Sequence, residues 1–249
     1  MKYSIILFLQ LFTGTLLAQL SPQKVLEKAI RHHDPNGSWA RFHQRLHFRV
    51  SIPNQADTFS VVEIDNRRRY FNYIARDGKR TIEKGFNDRA FFAIIDGKEA
   101  KSAVDIQRFR LSREKVSEVR DFFTYVIGLP MRLTETGARL SPKLQSEIFN
   151  GEACWVLRVD YPTINANNAQ TESWLFYINK GNYAMRGSRF IRNNNVKNGA
   201  YIVFEGETTI KGINLPQTRH WFWSEDDRFL ATETIESARD FEAGLASRL

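Results

Sequence analysis

From Arg41 to Ile52 apolar and polar residues alternate: Phe42, Leu46, Phe48, Val50 and Ile52 fall on one side of an extended chain, and Arg41, His43, Arg45, His47 and Arg49 on the other. A period of two is the side-chain period of a β-strand, so the segment predicts a strand with one apolar and one cationic face. Short runs of the same kind follow at 58–64, 69–76, 79–86 and 89–95, with Asp77-Gly78 and Asp96-Gly97 between some of them. Both dipeptides tolerate the positive φ angles of tight hairpin turns, and the series predicts an antiparallel meander.

Two stretches break the period. Ser21-Pro22 has the form of a helix N-cap followed by proline, and Val25, Leu26, Ala29 and Ile30 then recur at helical spacing. A short helix should run to about His32 and stop at Asp34-Pro35-Asn36-Gly37, whose residues favour a turn. The stronger helix begins after Ser112 and carries Val116, Val119, Phe122, Phe123, Val126 and Ile127 as one apolar stripe, ending at Gly128 and Pro130. Each of those side chains contributes about 1.5–3 kcal/mol when fully buried, so the stripe must cover something apolar. In an otherwise β-rich chain that is a sheet face or a barrel mouth. Strands resume at about 144–149, turn at Asn150-Gly151, and continue through Trp155, Leu157, Val159 and Tyr161 on one face. Further strand-like runs lie at 172–178, 183–192, 199–210, 215–223 and 229–235, with asparagine-rich loops at 165–168 and 193–195, and 238–249 reads as a short helix or frayed tail.

The start of the chain adds a compartment. Lys2, the apolar run Ile5 to Leu17 and Ala18 have the form of a secretory signal peptide cut near Ala18, although Leu16 replaces the usual small residue at the minus-three position. The new terminus would be Gln19, which offers no cysteine for a lipid anchor, so a periplasmic or secreted protein of one domain over residues 19–249 is expected. Cys154 is the single cysteine and forms no internal disulfide; it reads as a small buried side chain. The net charge of +8 would suggest nucleic acid in a cytoplasmic protein, but export turns it toward an anionic lipid surface, an acidic polymer or an envelope protein.

Val25-Leu26-Glu27-Lys28-Ala29-Ile30 with His33 and Trp39, then Val119-Arg120-Asp121-Phe122-Phe123 with Gly128-Leu129-Pro130-Met131, resembles exported proteins of Bacteroidota that have no assigned activity. The order of elements, from leader and short helix through hairpins, one mid-chain helix and more hairpins, resembles the LolA/LolB-like lipoprotein-carrier superfamily. That resemblance implies a mainly β (α+β) fold: a strongly bent, half-open antiparallel β-barrel with a short N-terminal helix and a mid-chain helix covering the barrel. It also implies an apolar cavity for acyl chains, in a carrier or a sensor.

Candidate chemistry is thin beside this. Gly-x-Ser-x-Gly and the two-histidine zinc-protease pattern are both missing from the sequence. His43 and His47 stand four apart on a strand, about 13 Å, too far to share a metal. His32 and His33 close a helix, where capping explains them, and Glu205 and Glu207 share a strand face without a flanking motif. No catalytic residue, cofactor or metal is therefore assigned. The aromatic residues make the better case: Trp155, Trp174, Phe176, Trp221 and Trp223 alternate in predicted strands and, with Leu46, Phe48, Val50 and Leu157, could line a cavity as readily as fill a core. Val119, Phe122, Phe123 and Val126 would form its lid. Arg41, Arg45, Arg49, Arg67, Arg68 and Arg69 would meet anionic headgroups or form a solvated outer face. The expectation is a monomeric, non-catalytic protein holding an apolar or lipid ligand, with no nucleic-acid partner. Two readings stay open beside it: a secreted hydrolase whose site no motif marks, and a protein-binding or sensor module that uses the basic face.

Overall fold

The computed structural model describes residues 20–135, 137–165, 168–191, 195–197 and 199–242. The expected leader over 1–18 and most of the expected C-terminal tail lie outside them. Helix α1 spans Pro22–His33, and the Ser21 side chain accepts a hydrogen bond from the Lys24 amide as its cap. It runs one residue further than the apolar spacing indicates, because Asp34 carries the final turn: its amide donates to the Ile30 carbonyl.

The chain then lays down β1 (His43–Ser51), β2 (Thr58–Asp65), β3 (Tyr70–Asp77), β4 (Arg80–Asn87), β5 (Ala90–Ile95) and the short β6 (Lys98–Glu99). Two helices follow, α2 (Ala103–Arg108) and α3 (Arg113–Ile127), before β7 (Arg139–Leu140), β8 (Gln145–Phe149), β9 (Glu152–Asn165), β10 (Asn168–Asn179), β11 (Met185–Ile191), β12 (Ala200–Ile210), β13 (Ile213–Trp223) and β14 (Phe229–Arg239). Helix α2 has no wholly buried residue and left no periodic signal in the sequence.

The described strands form one antiparallel sheet in the order β6-β5-β4-β3-β2-β1-β14-β13-β12-β11-β10-β9-β7, with β8 also on β9. Nearly every neighbour in the sheet is a neighbour in sequence, as hairpin turns dictate. The exceptions are β7 on β9, which skips β8, and β1 on β14, where Leu46 faces Ala238 and Phe48 faces Ile235. That seam joins an N-terminal wing, β1–β6, to a C-terminal wing, β7–β14. The path has two ends, so the sheet is bent and not closed.

Side chains of one parity make the inner face. Leu46 pairs with Val62, Val62 with Tyr73, and Phe71 with Phe86. One inner cluster gathers Phe42, Leu46, Phe48, Val62, Ile64, Phe71, Ile213, Leu215 and Ile235 with Ile127 of α3. A second gathers Leu157, Val159, Phe176, Ile178, Ile202 and Phe204 with Val25, Leu26 and Ala29 of α1. Helix α1 thus packs on the second cluster, while α3 packs on the first and reaches the second through Phe122 and Tyr125. Gly128 caps α3 and packs so closely on the Trp39 ring that a Cβ there has no room, which ties together two residues of the sequence resemblance. Cys154 is buried as expected, and burial pushes its thiol up to about 11. No helix among the described residues is long and apolar enough to cross a membrane.

Candidate functional site

The site is the inner face beneath α3. Helical spacing turns Val119, Phe123 and Val126 toward the sheet, and neighbouring Phe122 reaches its edge. The Phe123 ring lies 6.0 Å from Phe48, 6.4 Å from Phe71 and 5.4 Å from Tyr73. Phe122 lies 5.7 Å from Trp221 yet keeps 42% of its surface exposed, at the rim of the covered area. Tyr125 packs 6.1 Å from Trp174, and its hydroxyl lies 2.9 Å from that of Tyr161. Burial pushes both phenols above their ordinary range, so the pair stays uncharged and bridges helix to sheet as a hydrogen bond.

The two inner clusters bring together Leu46, Phe48, Trp155, Leu157, Trp174, Phe176 and Trp221. Val50 and Trp223 belong to neither: Val50 is half-buried near the end of β1, and Trp223 is 38% exposed at the end of β13. Leu46, Phe48, Leu157 and Phe176 are sealed from solvent.

Sequence reasoning missed a buried charge at the junction of the clusters. Arg219, on β13, is in register with Phe204 of β12 on one side and Glu233 of β14 on the other. It has no solvent exposure; its nearest charge is the Glu233 carboxylate, 3.5 Å from Nη1, and its guanidinium carbon lies 5.7 Å from the Phe48 ring. None of its three nitrogens has a hydrogen-bond partner among the described residues. Burial disfavours the charge on both partners, lowering the basicity of Arg219 and pushing the Glu233 carboxyl up, and since an arginine stays charged in proteins it is Glu233 that is the readier to change its protonation. The signal was legible in the alternation Ile213, Leu215, Gln217, Arg219, Trp221: a charge occupies an otherwise mainly apolar register.

The five histidines are placed by this fold in different ways. His33 is fully buried, with Nδ1 donating to the Asn214 carbonyl at 2.5 Å and Nε2 accepting from the Met185 amide at 2.9 Å. His32, His33 and Glu207 come close enough to suggest a metal, but both nitrogens of His33 are already spent on backbone, so the donor set does not fit one. His32 bonds Glu207 at 2.8 Å, and His220 bonds Glu205 at 2.7 Å and Thr232 at 2.9 Å. The last group spans three adjacent strands with the outline of nucleophile, base and acid. It lies on the outer face, where Glu205 is open to water, and it orders the sheet as a cross-strand hydrogen-bond ladder. His43 contacts Asp65 through Nδ1 at 3.0 Å and the Phe241 carbonyl through Nε2 at 2.6 Å. The His47 Nε2 is buried without a partner among the described residues, and burial lowers the basicity of its ring.

The cationic set divides in two. Arg45 pairs with Glu63, Arg49 with Glu236 at 2.6 Å and Asp57 at 3.5 Å, and Arg69 with Asp88 at 2.7 Å. Arg41, Arg67 and Arg68 line one open cleft of about 630 Å³ with His43, Asp65, Phe241 and Glu242, and Arg68 also pairs with Asp65 there at 3.8 Å.

In fold the chain is similar to the crystal structure of a LolA superfamily protein, NE2245, from Nitrosomonas europaea, with a TM-score of 0.53 and 12% identity over 89% of this chain and 94% of that one. It is also similar to a putative outer membrane lipoprotein-sorting protein domain from Vibrio parahaemolyticus, with a TM-score of 0.51 and 13% identity over 90% and 94%. At these identities the likeness is one of fold, the half-open barrel expected from the order of elements. No curated protein matches the chain. Residues 2–237 match the model described as "Family of unknown function (DUF6503)", and the chain belongs to that family.

Proposed function

We propose that the protein is an exported, non-catalytic carrier or sensor that holds an acyl chain or similar apolar ligand between α3 and the inner face of the sheet. The observation that carries this reading is the aromatic seal at Phe122 and Phe123. A helix lies across the inner face of an unclosed sheet, and one phenylalanine of its apolar stripe is left at the rim instead of in the core. Lifting α3 would uncover Phe48, Phe71, Tyr73, Trp174 and Trp221, an aromatic floor suited to a hydrocarbon chain. The same fold in a LolA superfamily protein and in a lipoprotein-sorting domain supports the comparison with lipid handling. Arg41, Arg67 and Arg68 would meet an anionic membrane surface or envelope partner, while Arg45, Arg49 and Arg69 serve the sheet through their ion pairs. Cleavage near Ala18 would place the protein in the periplasm or outside the cell.

The reading is tested by retention of a labelled acyl ligand through gel filtration. Trp174→Asp should abolish retention, while Lys115→Ala, on the outer side of α3, should retain it as the wild type does. Equal retention by all three proteins would oppose a site on this face.

A further inference from the structure

We propose that Arg219 is the polar anchor of the ligand site and receives the carboxylate of a long-chain fatty acid whose hydrocarbon lies along the inner face; this rests on the ligand-holding reading above. Arg219 sits where the two apolar clusters meet. Phe48 of the first cluster is 5.7 Å from its guanidinium carbon, and Phe204, its register partner on β12, belongs to the second. Trp221, the next residue of the same parity on β13, is the one that Phe122 of α3 touches. A chain that enters at the Phe122 rim and displaces the helix aromatics from Trp221 and Phe48 therefore brings its end to Arg219.

The chemistry at that point is unfinished. A guanidinium offers five N–H donors in a planar fork and accepts none, and buried polar groups in folded proteins are nearly always hydrogen-bonded. Here Nε, Nη1 and Nη2 all lack a hydrogen-bond partner among the described residues, and Glu233 supplies charge at 3.5 Å without closing the fork. A carboxylate matches the fork bidentately. Glu233 also answers the question of charge: burial has already raised its affinity for a proton. A fatty acid that arrives protonated can pass that proton to Glu233, leaving one guanidinium, one ligand carboxylate and one neutral carboxyl, with no net charge carried inward. A phosphate monoester brings up to two negative charges and exceeds what one fork and one proton acceptor balance.

The test is calorimetric titration of the full chain with oleate and with oleyl alcohol, which share a chain and differ in the head. Oleate should bind about tenfold to a hundredfold more tightly, the range of one charge-assisted hydrogen bond. Arg219→Met should remove that preference by weakening oleate and leaving the alcohol unchanged, and Glu233→Gln should tighten oleate by removing the competing carboxylate. Equal affinities in the wild type, unchanged in both variants, would overturn the anchor while leaving the ligand-holding reading intact. Failure of both probes to bind would overturn that reading itself. If Arg219→Met does not fold, the wild-type preference and the direction of the Glu233→Gln effect decide the matter.

Discussion

Among the described residues two basic side chains have no solvent exposure, His33 at the end of α1 and Arg219 near the floor beneath α3. At His33 both ring nitrogens bond backbone, one to Asn214 and one to Met185, so the helix end is clamped to β11 and β13. At Arg219 no nitrogen is bonded and the charge is answered by one carboxylate at 3.5 Å. Both groups cost desolvation, but only the first recovers it in hydrogen bonds. The half of the interior under α1 leaves only a small neutral group unbonded among the described residues, the buried Ser188 hydroxyl between Phe176 and Ile202, whereas the half under α3 keeps an unbonded charge below a helix with an exposed aromatic rim. The proposed ligand site lies in the second half.

Four changes break or sharpen that contrast. The largest effect is expected from Glu233→Leu, which leaves Arg219 buried without its counter-charge and should cost about 3–5 kcal/mol in urea unfolding. Arg219→Met combined with Glu233→Leu should recover that loss, because an apolar pair of similar volume is often neutral or stabilising by about 1–4 kcal/mol relative to a buried ion pair. Such recovery would mark the pair as kept for something other than stability. His33→Ala should cost roughly 1–3 kcal/mol, since the Met185 amide and the Asn214 carbonyl lose their partner.

The pH dependence should follow His33 in the wild type. Burial, its main cause, holds the His33 imidazole below its ordinary pKa of 6.5. The unfolded chain then binds more protons between the two values, so this contribution is complete above about pH 6.5 and is lost as pH falls through the lower, folded value. Urea midpoints across that range should fall on acidification, and His33→Ala should flatten the slope. The smallest change is Lys115→Ala, which removes an exposed pair with Glu118 at 2.6 Å and should shift stability by about 0.2–0.5 kcal/mol.

Most of the sheet was legible because its strands alternate on one buried face and three of its turns carry Asp-Gly or Asn-Gly. The α3 stripe was legible for the same reason, at period 3.6. The seam of β1 on β14 was not, since pairing between residues almost 190 positions apart leaves no local trace. Helix α2 was missed because it has no wholly buried residue to set a period. Phe48, Trp174 and Trp221 pack on the inner face that their alternation indicates, but Trp223 shares the parity of Trp221 and ends exposed, because alternation fixes a face and not the point at which a strand leaves the core. Composition also could not separate Arg41, Arg67 and Arg68 from Arg45, Arg49 and Arg69: their acidic partners are supplied by neighbouring strands and loops.

The most direct test of the account is native mass spectrometry of the mature protein purified from the envelope without detergent, followed by solvent extraction of whatever it carries. The expected result is a stoichiometric adduct whose extracted component contains an acyl chain. A bare mass that stays bare after incubation with membrane lipids would contradict the account and mark the floor beneath α3 as a filled core.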